Sequence, residues 1–383
     1  MSFGSSRAGE SRCLVPMEVA GRLPRLRSLL DEVGVGALLV TNLANVRYLT
    51  GFSGSAGKLL VGADEALLVT DGRYRTQVAE QLGSAGLVDV VQSFVGKVQA
   101  QREQVSAAVR RMRARKVALE AESVTWGVKR RVGELLYPAE LVPTERLVEQ
   151  LRQVKDPGEL DRMKAAAAIA DAALAEVLGM LAEHRSEVEV ALALDTAMRR
   201  LGAEDRAFDT IVASGPNAAK PHSCPSARPI ASGDWVVIDF GATCEGYRSD
   251  MSRTFCVDGG QAGEIGQVFA VVAEAQAAGV AKVKAGVEAG DIDAACRELI
   301  AEAGWSEAFE HGTGHGIGLD VHEAPTVSEG STAILGPGFV VTVEPGVYLP
   351  GVGGVRIEDT VTVTDGGCQA LTGFTKDPAV PTT

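Results

Sequence analysis

The sequence predicts an α/β domain followed by an α+β domain. Three observations carry this reading. At 383 residues, with 46% hydrophobic and 23% charged side chains, the chain is long enough to bury two cores. Its first 150 or so residues alternate between helix-period and strand-period segments. Beyond Lys155 the pattern changes to long helices and Val-, Ile- and Thr-rich strands without regular βαβ alternation. Aromatic residues are only 5% and glycine occupies 44 positions, which fits a small-aliphatic core with many tight turns.

The first domain opens at Met17 with a helix running through Leu30. Strands are expected at 36–41, around 46–49, and as a pair at 58–61 and 66–69. Helices near 74–82 and 97–113 follow, with a short strand at 117–120 before a further helix. The domain boundary falls just before a helix start with a mechanism. Asp156 is placed to cap, Pro157 suits the first helical position, and Glu159 can bond back to the cap. The second domain continues with helices over 157–182, 187–201, 263–283 and 290–303, and closes on strands between 339 and 363. The expected organisation is a flexible or over-extended lead at 1–16, an N-terminal domain at 17–153 and a second domain at 154–376.

Composition excludes several classes. No run of about eighteen uninterrupted apolar residues occurs, so no membrane partner is expected. The N-terminus lacks the apolar region of a secretory signal. Six cysteines without a CxxC pair read as reduced thiols in a cytoplasmic protein. Net charge is −13, divided as +6 over residues 1–155 (22 basic, 16 acidic) and −19 over the remainder (15 basic, 34 acidic). The basic run Arg110, Arg111, Arg113, Arg115 and Lys116 has no interleaved aromatics and is read as a solvated helix face, not as a nucleic-acid site.

The chemistry concentrates in the second domain. Residues 235–257 read as a hairpin, and with its turn centred on Cys244-Glu245, Asp239 and Asp250 stand directly opposite each other. Two facing carboxylates repel unless a cation lies between them, although a register slipped by one would send them to opposite faces. Three of the five histidines, His311, His315 and His322, lie within twelve residues in HGTGHGIGLDVH. Glycine at every second position makes a helix there unfavourable, so the segment is read as a loop whose backbone approaches a ligand closely. A fourth histidine, His222, lies in a Pro- and Ser-rich loop. Glu344 ends a strand in VVTVEPG, and Glu358 sits inside another in VRIEDTV, where Arg356 is a possible ion partner. Asp239, Asp250, His315, Glu344 and Glu358 together make an oxygen-rich set suited to two divalent ions, Mn²⁺ or Co²⁺ before Zn²⁺.

The strings VVIDFGA, RSDMSRTF, HGTGHGIGLDVHE, TVEPGVY and VRIEDT resemble those of the creatinase/aminopeptidase P/prolidase family of pita-bread metallopeptidases. NVRYLTGFSGSAG and TDGRY in the first half resemble that family's creatinase-type domain, in its aminopeptidase P branch. The resemblance implies an α/β creatinase-type N-terminal domain followed by an α+β pita-bread catalytic domain. It implies that Asp239 chelates one metal, that Asp250 and Glu358 bridge both, and that His315 and Glu344 complete the ligands of the other metal. Glu344 is also implied as proton acceptor. His222 and His322 match substrate-contacting and proton-shuttling histidines, while His311 and Arg356 match residues that line the pocket and orient the substrate.

The implied substrates are peptides with proline in second position, hydrolysed at the Xaa-Pro bond, and the implied assembly is a homodimer. An aminopeptidase is favoured over a dipeptidase confined to Xaa-Pro. Methionine aminopeptidases ordinarily lack the N-terminal domain, and a metal-free amidinohydrolase would have lost ligands. A non-catalytic binding module is the remaining alternative, and it would gain nothing from four clustered carboxylates.

Overall fold

The computed structural model describes residues 14–259 and 263–380. Two compact units result, one spanning Met17–Arg152 and the other running from Gln153 onward, with residues 14–16 belonging to the latter. Residues 1–13 of the expected lead lie outside the described residues. The end of that lead is held. Val15 donates its N–H to Asp161 and accepts from the Arg162 guanidinium, at 3.0 and 2.8 Å.

In the first unit, six strands form one sheet: β1 (Ala37–Val40), β2 (Gly57–Gly62), β3 (Ala66–Thr70), β4 (Val91–Val95), β5 (Lys116–Glu120) and β6 (Glu140–Thr144). Their order is β4-β3-β2-β1-β5-β6, with the β1–β2 and β2–β3 pairs antiparallel and the others parallel. Six helices accompany them: α1 (Arg22–Glu32), α2 (Leu43–Thr50), α3 (Arg75–Ser84), α4 (Val98–Arg111), α5 (Trp126–Leu136) and α6 (Leu147–Arg152). Leu39, Leu60, Val69, Val105, Val109 and Val132 are buried together where α4 and α5 meet the sheet.

The strand expected at 46–49 is instead helix α2. Asn42 caps it by accepting from Ala44 N–H at 2.9 Å, and Gly51 ends it in the left-handed conformation at φ 74°. Val46-Arg47-Tyr48-Leu49 is too short for its apolar spacing to fix a period, and these end signals decide it. Strands β4 and β6, absent from the expected set, are the two sheet edges. They carry Gln92, Ser93 and Pro143, which blur the strand signature but suit an edge.

The second unit begins with α7 (Pro157–Val177), closed at its start by the reciprocal Asp156–Glu159 box, and α8 (Glu187–Arg200). Strands β7 (Asp205–Arg206), β8 (Ile211–Ser214), β9 (Trp235–Phe240), β10 (Ala242–Cys244), β11 (Tyr247–Arg248) and β12 (Met251–Cys256) follow. Helices α9 (Glu264–Lys282) and α10 (Ala289–Glu302) separate them from β13 (Gly314–Gly316), β14 (Glu323–Val327), β15 (Val340–Val343), β16 (Gly346–Leu349), β17 (Gly353–Arg356), β18 (Asp359–Thr364) and β19 (Gly367–Ala370). The sheets are small: β12-β9-β8, β11-β10-β7, β14-β13-β15-β18-β19 and the β16-β17 hairpin. One apolar cluster packs α7 and α8 against β8, β9 and β12, and a second packs α9 and α10 against β15 to β18. No described helix is long and apolar enough to cross a membrane.

Candidate metal centre

The β9–β12 hairpin brings the two aspartates to one face by a register different from the expected one. Its tight turn is Glu245-Gly246, both at positive φ (42° and 81°), between the paired residues Cys244 and Tyr247. Glycine at the second turn position suits that left-handed geometry. The turn therefore sits one residue later than the sequence reading placed it, and Asp239 pairs with Ser252, not Asp250. Asp250 lies two residues before Ser252, a spacing that returns to the same face. A slip of two preserves the faces that a slip of one would have exchanged.

The histidine segment is also more ordered than a loop. His315 is the centre of β13, between β14 and β15. A Cβ at Gly314 would lie 2.1 Å from Thr342 O, and one at Gly316 would lie 2.2 Å from Ala324 O. These glycines admit neighbouring strands, not a ligand. His315 donates from its backbone N–H to Thr342 Oγ1 at 3.0 Å, and its Nδ1–H donates to Gly316 O at 2.9 Å. Nε2 is thereby turned to Glu344 Oε1 at 3.4 Å and Asp250 Oδ2 at 3.6 Å. Fixing one ring nitrogen on a carbonyl frees the other as a ligand.

Glu344 follows β15 directly and is held by its N–H on Thr313 O at 2.7 Å. Glu358 is not inside a strand, as expected, but in the break between β17 and β18. There the chain crosses from one sheet to the next, with Glu358 N–H donating to Ser252 O at 3.1 Å and Ser252 Oγ donating to Glu358 Oε2 at 3.0 Å. Asp250, His315 and Glu358 each place a ligand atom within 4.8 Å of the others.

The four carboxylates lie close enough for their charges to act on one another. Burial pushes Asp250 well above the ordinary carboxylate range, and the charges of Asp239 and Glu344 push it further. Glu358 is raised by burial and then by Asp250, Glu344 and Asp239. Glu344 is pushed up to about 7, chiefly by burial and against the pull of Arg356. Burial lowers His315, against the pull of the Gly316 carbonyl and the Asp239 charge. Two carboxylate oxygens, Asp239 Oδ1 and Glu358 Oε1, are buried without any hydrogen-bond partner. One imidazole, four carboxylates and two unsatisfied buried oxygens fit hard divalent cations, which would satisfy the oxygens and offset the repulsion.

Arg356, expected as a partner of Glu358, ends β17 and turns elsewhere. Its Nη2 donates to Asp239 Oδ2 at 2.5 Å, Nε to Ser252 Oγ at 2.9 Å, and Nη1 to Tyr348 Oη at 2.8 Å and Pro221 O at 3.2 Å. Tyr348, missed by the sequence reading, donates in turn to His311 Nε2 at 2.8 Å, and His311 Nδ1–H donates to Gly312 O at 2.7 Å. Burial takes His311 down to about 4 and Tyr348 up to about 12, so both are neutral. The Tyr348 position, four residues beyond Glu344 on the hairpin that ends at Arg356, was the available signal.

His322 is exposed, with its ring edge-on to His315 at 4.4 Å between centroids. His222 is exposed in the turn after 215–219, close enough for its charge to bear on both His311 and His322. A second overlooked residue holds that turn. Glu187, fully buried at the start of α8, accepts from the N–H groups of Ser214 and Ser226 at 2.7 and 3.0 Å and from Asn217 Nδ2. Burial alone would raise its pKa, but these donors outweigh it and lower it.

Residues 161–365 match the model of metallopeptidase family M24, and residues 22–154 match the creatinase/prolidase N-terminal domain. A solved Xaa-Pro dipeptidase from Bacillus anthracis is 39% identical with a TM-score of 0.87, over 94% of this chain and 99% of that one. A solved X-Pro aminopeptidase from Thermotoga maritima is 36% identical with a TM-score of 0.83, over 93% and 98%. The Xaa-Pro dipeptidase of Pyrococcus horikoshii is 33% identical over 92% of this chain and 96% of its own length.

Proposed function

The chain belongs to metallopeptidase family M24, and from that premise we propose that it is an Xaa-Pro aminopeptidase, releasing the first residue of peptides whose second residue is proline. The observation that carries this reading is the buried cluster of Asp239, Asp250, His315, Glu344 and Glu358 in a chain similar along its length to Xaa-Pro peptidases. In this reading the five residues hold two divalent ions, with Mn²⁺ preferred over Co²⁺ and Zn²⁺ for an oxygen-rich set. When bound, the ions supply Lewis acidity for the scissile carbonyl and for the attacking water.

The remaining work belongs to side chains. Glu344, at the end of β15 and 3.4 Å from His315 Nε2, is the carboxylate placed to accept a proton. His322 and His222, at the exposed rim, contact the substrate and pass the proton to the leaving proline nitrogen. His311, kept neutral, and Arg356, kept charged, form a fixed wall that orients the peptide. The Xaa-Pro bond is a tertiary amide without an N–H, so a site acting on the carbonyl through cations and imidazoles suits it where one reading that N–H would fail.

A second reading, a dipeptidase confined to Xaa-Pro, is supported by the names of relatives such as those of Bacillus anthracis and Pyrococcus horikoshii. Hydrolysis of Ala-Pro, Ala-Pro-Ala and Ala-Ala by chelator-stripped, Mn²⁺-reconstituted protein separates them. Cleavage of the tripeptide at Ala-Pro supports the aminopeptidase, and cleavage of Ala-Pro alone supports the dipeptidase. No Mn²⁺-dependent cleavage of either would overturn both. A cytoplasmic homodimer completes the proposal, resting on the reduced cysteines and the opposed charges of the two halves; sedimentation of the purified protein tests the dimer.

A further inference from the structure

Lys58 stands on the core face of its sheet. It lies on the interior strand β2, pairs with Val69 on β3, and by the two-residue period shares a face with Leu60, whose neighbours are the apolar side chains under α4 and α5. A lysine there loses part of its water, and no acidic side chain pairs with it among the described residues. The charges that bear on it are those of Arg102 and Arg131, which together with burial lower its pKa. Lys58, Arg102 and Arg131 have no ion pair among the described residues. All three line a cavity of about 100 Å³ whose other walls include Leu39, Val105 and Val132. Arg102 and Arg131 are exposed and Lys58 is half-buried, so three like charges meet at the mouth of an apolar hollow, where an anion would relieve their repulsion.

We propose that this cavity binds a small organic carboxylate with a short aliphatic body, its carboxylate on Lys58, Arg102 and Arg131 and its hydrocarbon against Leu39, Val105 and Val132. The apolar wall disfavours inorganic phosphate, which would leave hydrocarbon uncovered and gain nothing from it. A zwitterionic amino acid is disfavoured because its ammonium would meet three cations. Size sets the ligand class as well: at about 100 Å³ the hollow is smaller than the cavity of about 150 Å³ that holds benzene, so it takes only a short hydrocarbon body and leaves the carboxylate at the opening.

Calorimetric titration of the full-length protein with isovalerate, 3-methylbutan-1-ol and inorganic phosphate tests the proposal. Isovalerate should saturate one site per chain and bind about tenfold or more tightly than either the uncharged alcohol or phosphate. Lys58→Met, which keeps the length and apolar volume of the side chain, should weaken isovalerate by about tenfold or more, and Lys58→Arg should recover part of the loss. Arg102→Gln, on the exposed side of α4, gives an independent arm and should weaken binding while leaving the core intact. The proposal is overturned if isovalerate does not saturate into the millimolar range. It is equally overturned if the alcohol or phosphate binds as tightly, or if Lys58→Met and Arg102→Gln both bind isovalerate as the parent does.

Discussion

Glu344→Gln in metal-free protein should stabilise the catalytic unit at alkaline pH and do so much less at acidic pH. Burial holds the folded carboxyl at about 7 against 4.5 for an exposed glutamate. Between those values the folded chain keeps a proton that the unfolded chain has released, so stability falls as pH rises through the window. Each tenfold change in proton affinity is worth about 1.4 kcal/mol, which puts the whole cost of ionising Glu344 near 3 kcal/mol and the part between pH 5 and pH 8.5 at about 2 to 3 kcal/mol. Glutamine is nearly isosteric, keeps an oxygen for the Thr342 Oγ1 donor at 3.4 Å, and carries no charge. Urea unfolding with chelator present, at pH 5 and pH 8.5, measures the difference between variant and parent at each pH. A gain at pH 8.5 that exceeds the gain at pH 5 by about 2 to 3 kcal/mol is expected. Added Mn²⁺ should then reverse the ranking, because a cation that binds only the folded parent stabilises it by mass action. A difference between variant and parent that does not change with pH would refute the electrostatic reading of the cluster.

Asp250→Asn should leave a folded chain that binds no metal and does not hydrolyse Xaa-Pro substrates; metal analysis beside circular dichroism checks it, and full activity with unchanged stoichiometry would remove Asp250 from the site. Arg356→Lys should keep metal but lower kcat/KM by about 100-fold, because an ammonium cannot reproduce the planar contacts to Asp239, Ser252 and Tyr348. Steady-state kinetics with metal content measured on the same sample decides this. Gly316→Ala places a methyl group 2.2 Å from Ala324 O and must push β14 away, so its urea midpoint should fall by an amount equivalent to about 1 to 3 kcal/mol.

The start of α7 was legible because a capping box is a local code: Asp156, Pro157 and Glu159 act on each other within one helical turn. The five clustered residues stood out as residue types that are costly to bury alone. Their neighbours were not legible, because a contact such as Arg356–Asp239 or Glu187–Ser214 is made by residues from separate elements whose types are ordinary on their own. The β9–β12 register failed by two for a local reason, the choice of which residue pair takes the positive φ angles, and Gly246 was the clue. Helix α2 failed because Val46, Tyr48 and Leu49 are too few apolar positions to fix a period, so only Asn42 and Gly51 at its ends carried the answer.

The line from Arg356 through Tyr348 and His311 to the Gly312 carbonyl has only one direction. At one end stands a guanidinium that does not give up its proton, and at the other a peptide oxygen that does not take one. Every hydrogen between them is therefore assigned, and the line works as a rigid post with a positive head and not as a wire. The wall it forms keeps the same charge and the same donors from mildly acidic to mildly alkaline solution. Any change of turnover with pH in that range originates elsewhere in the site or in the substrate.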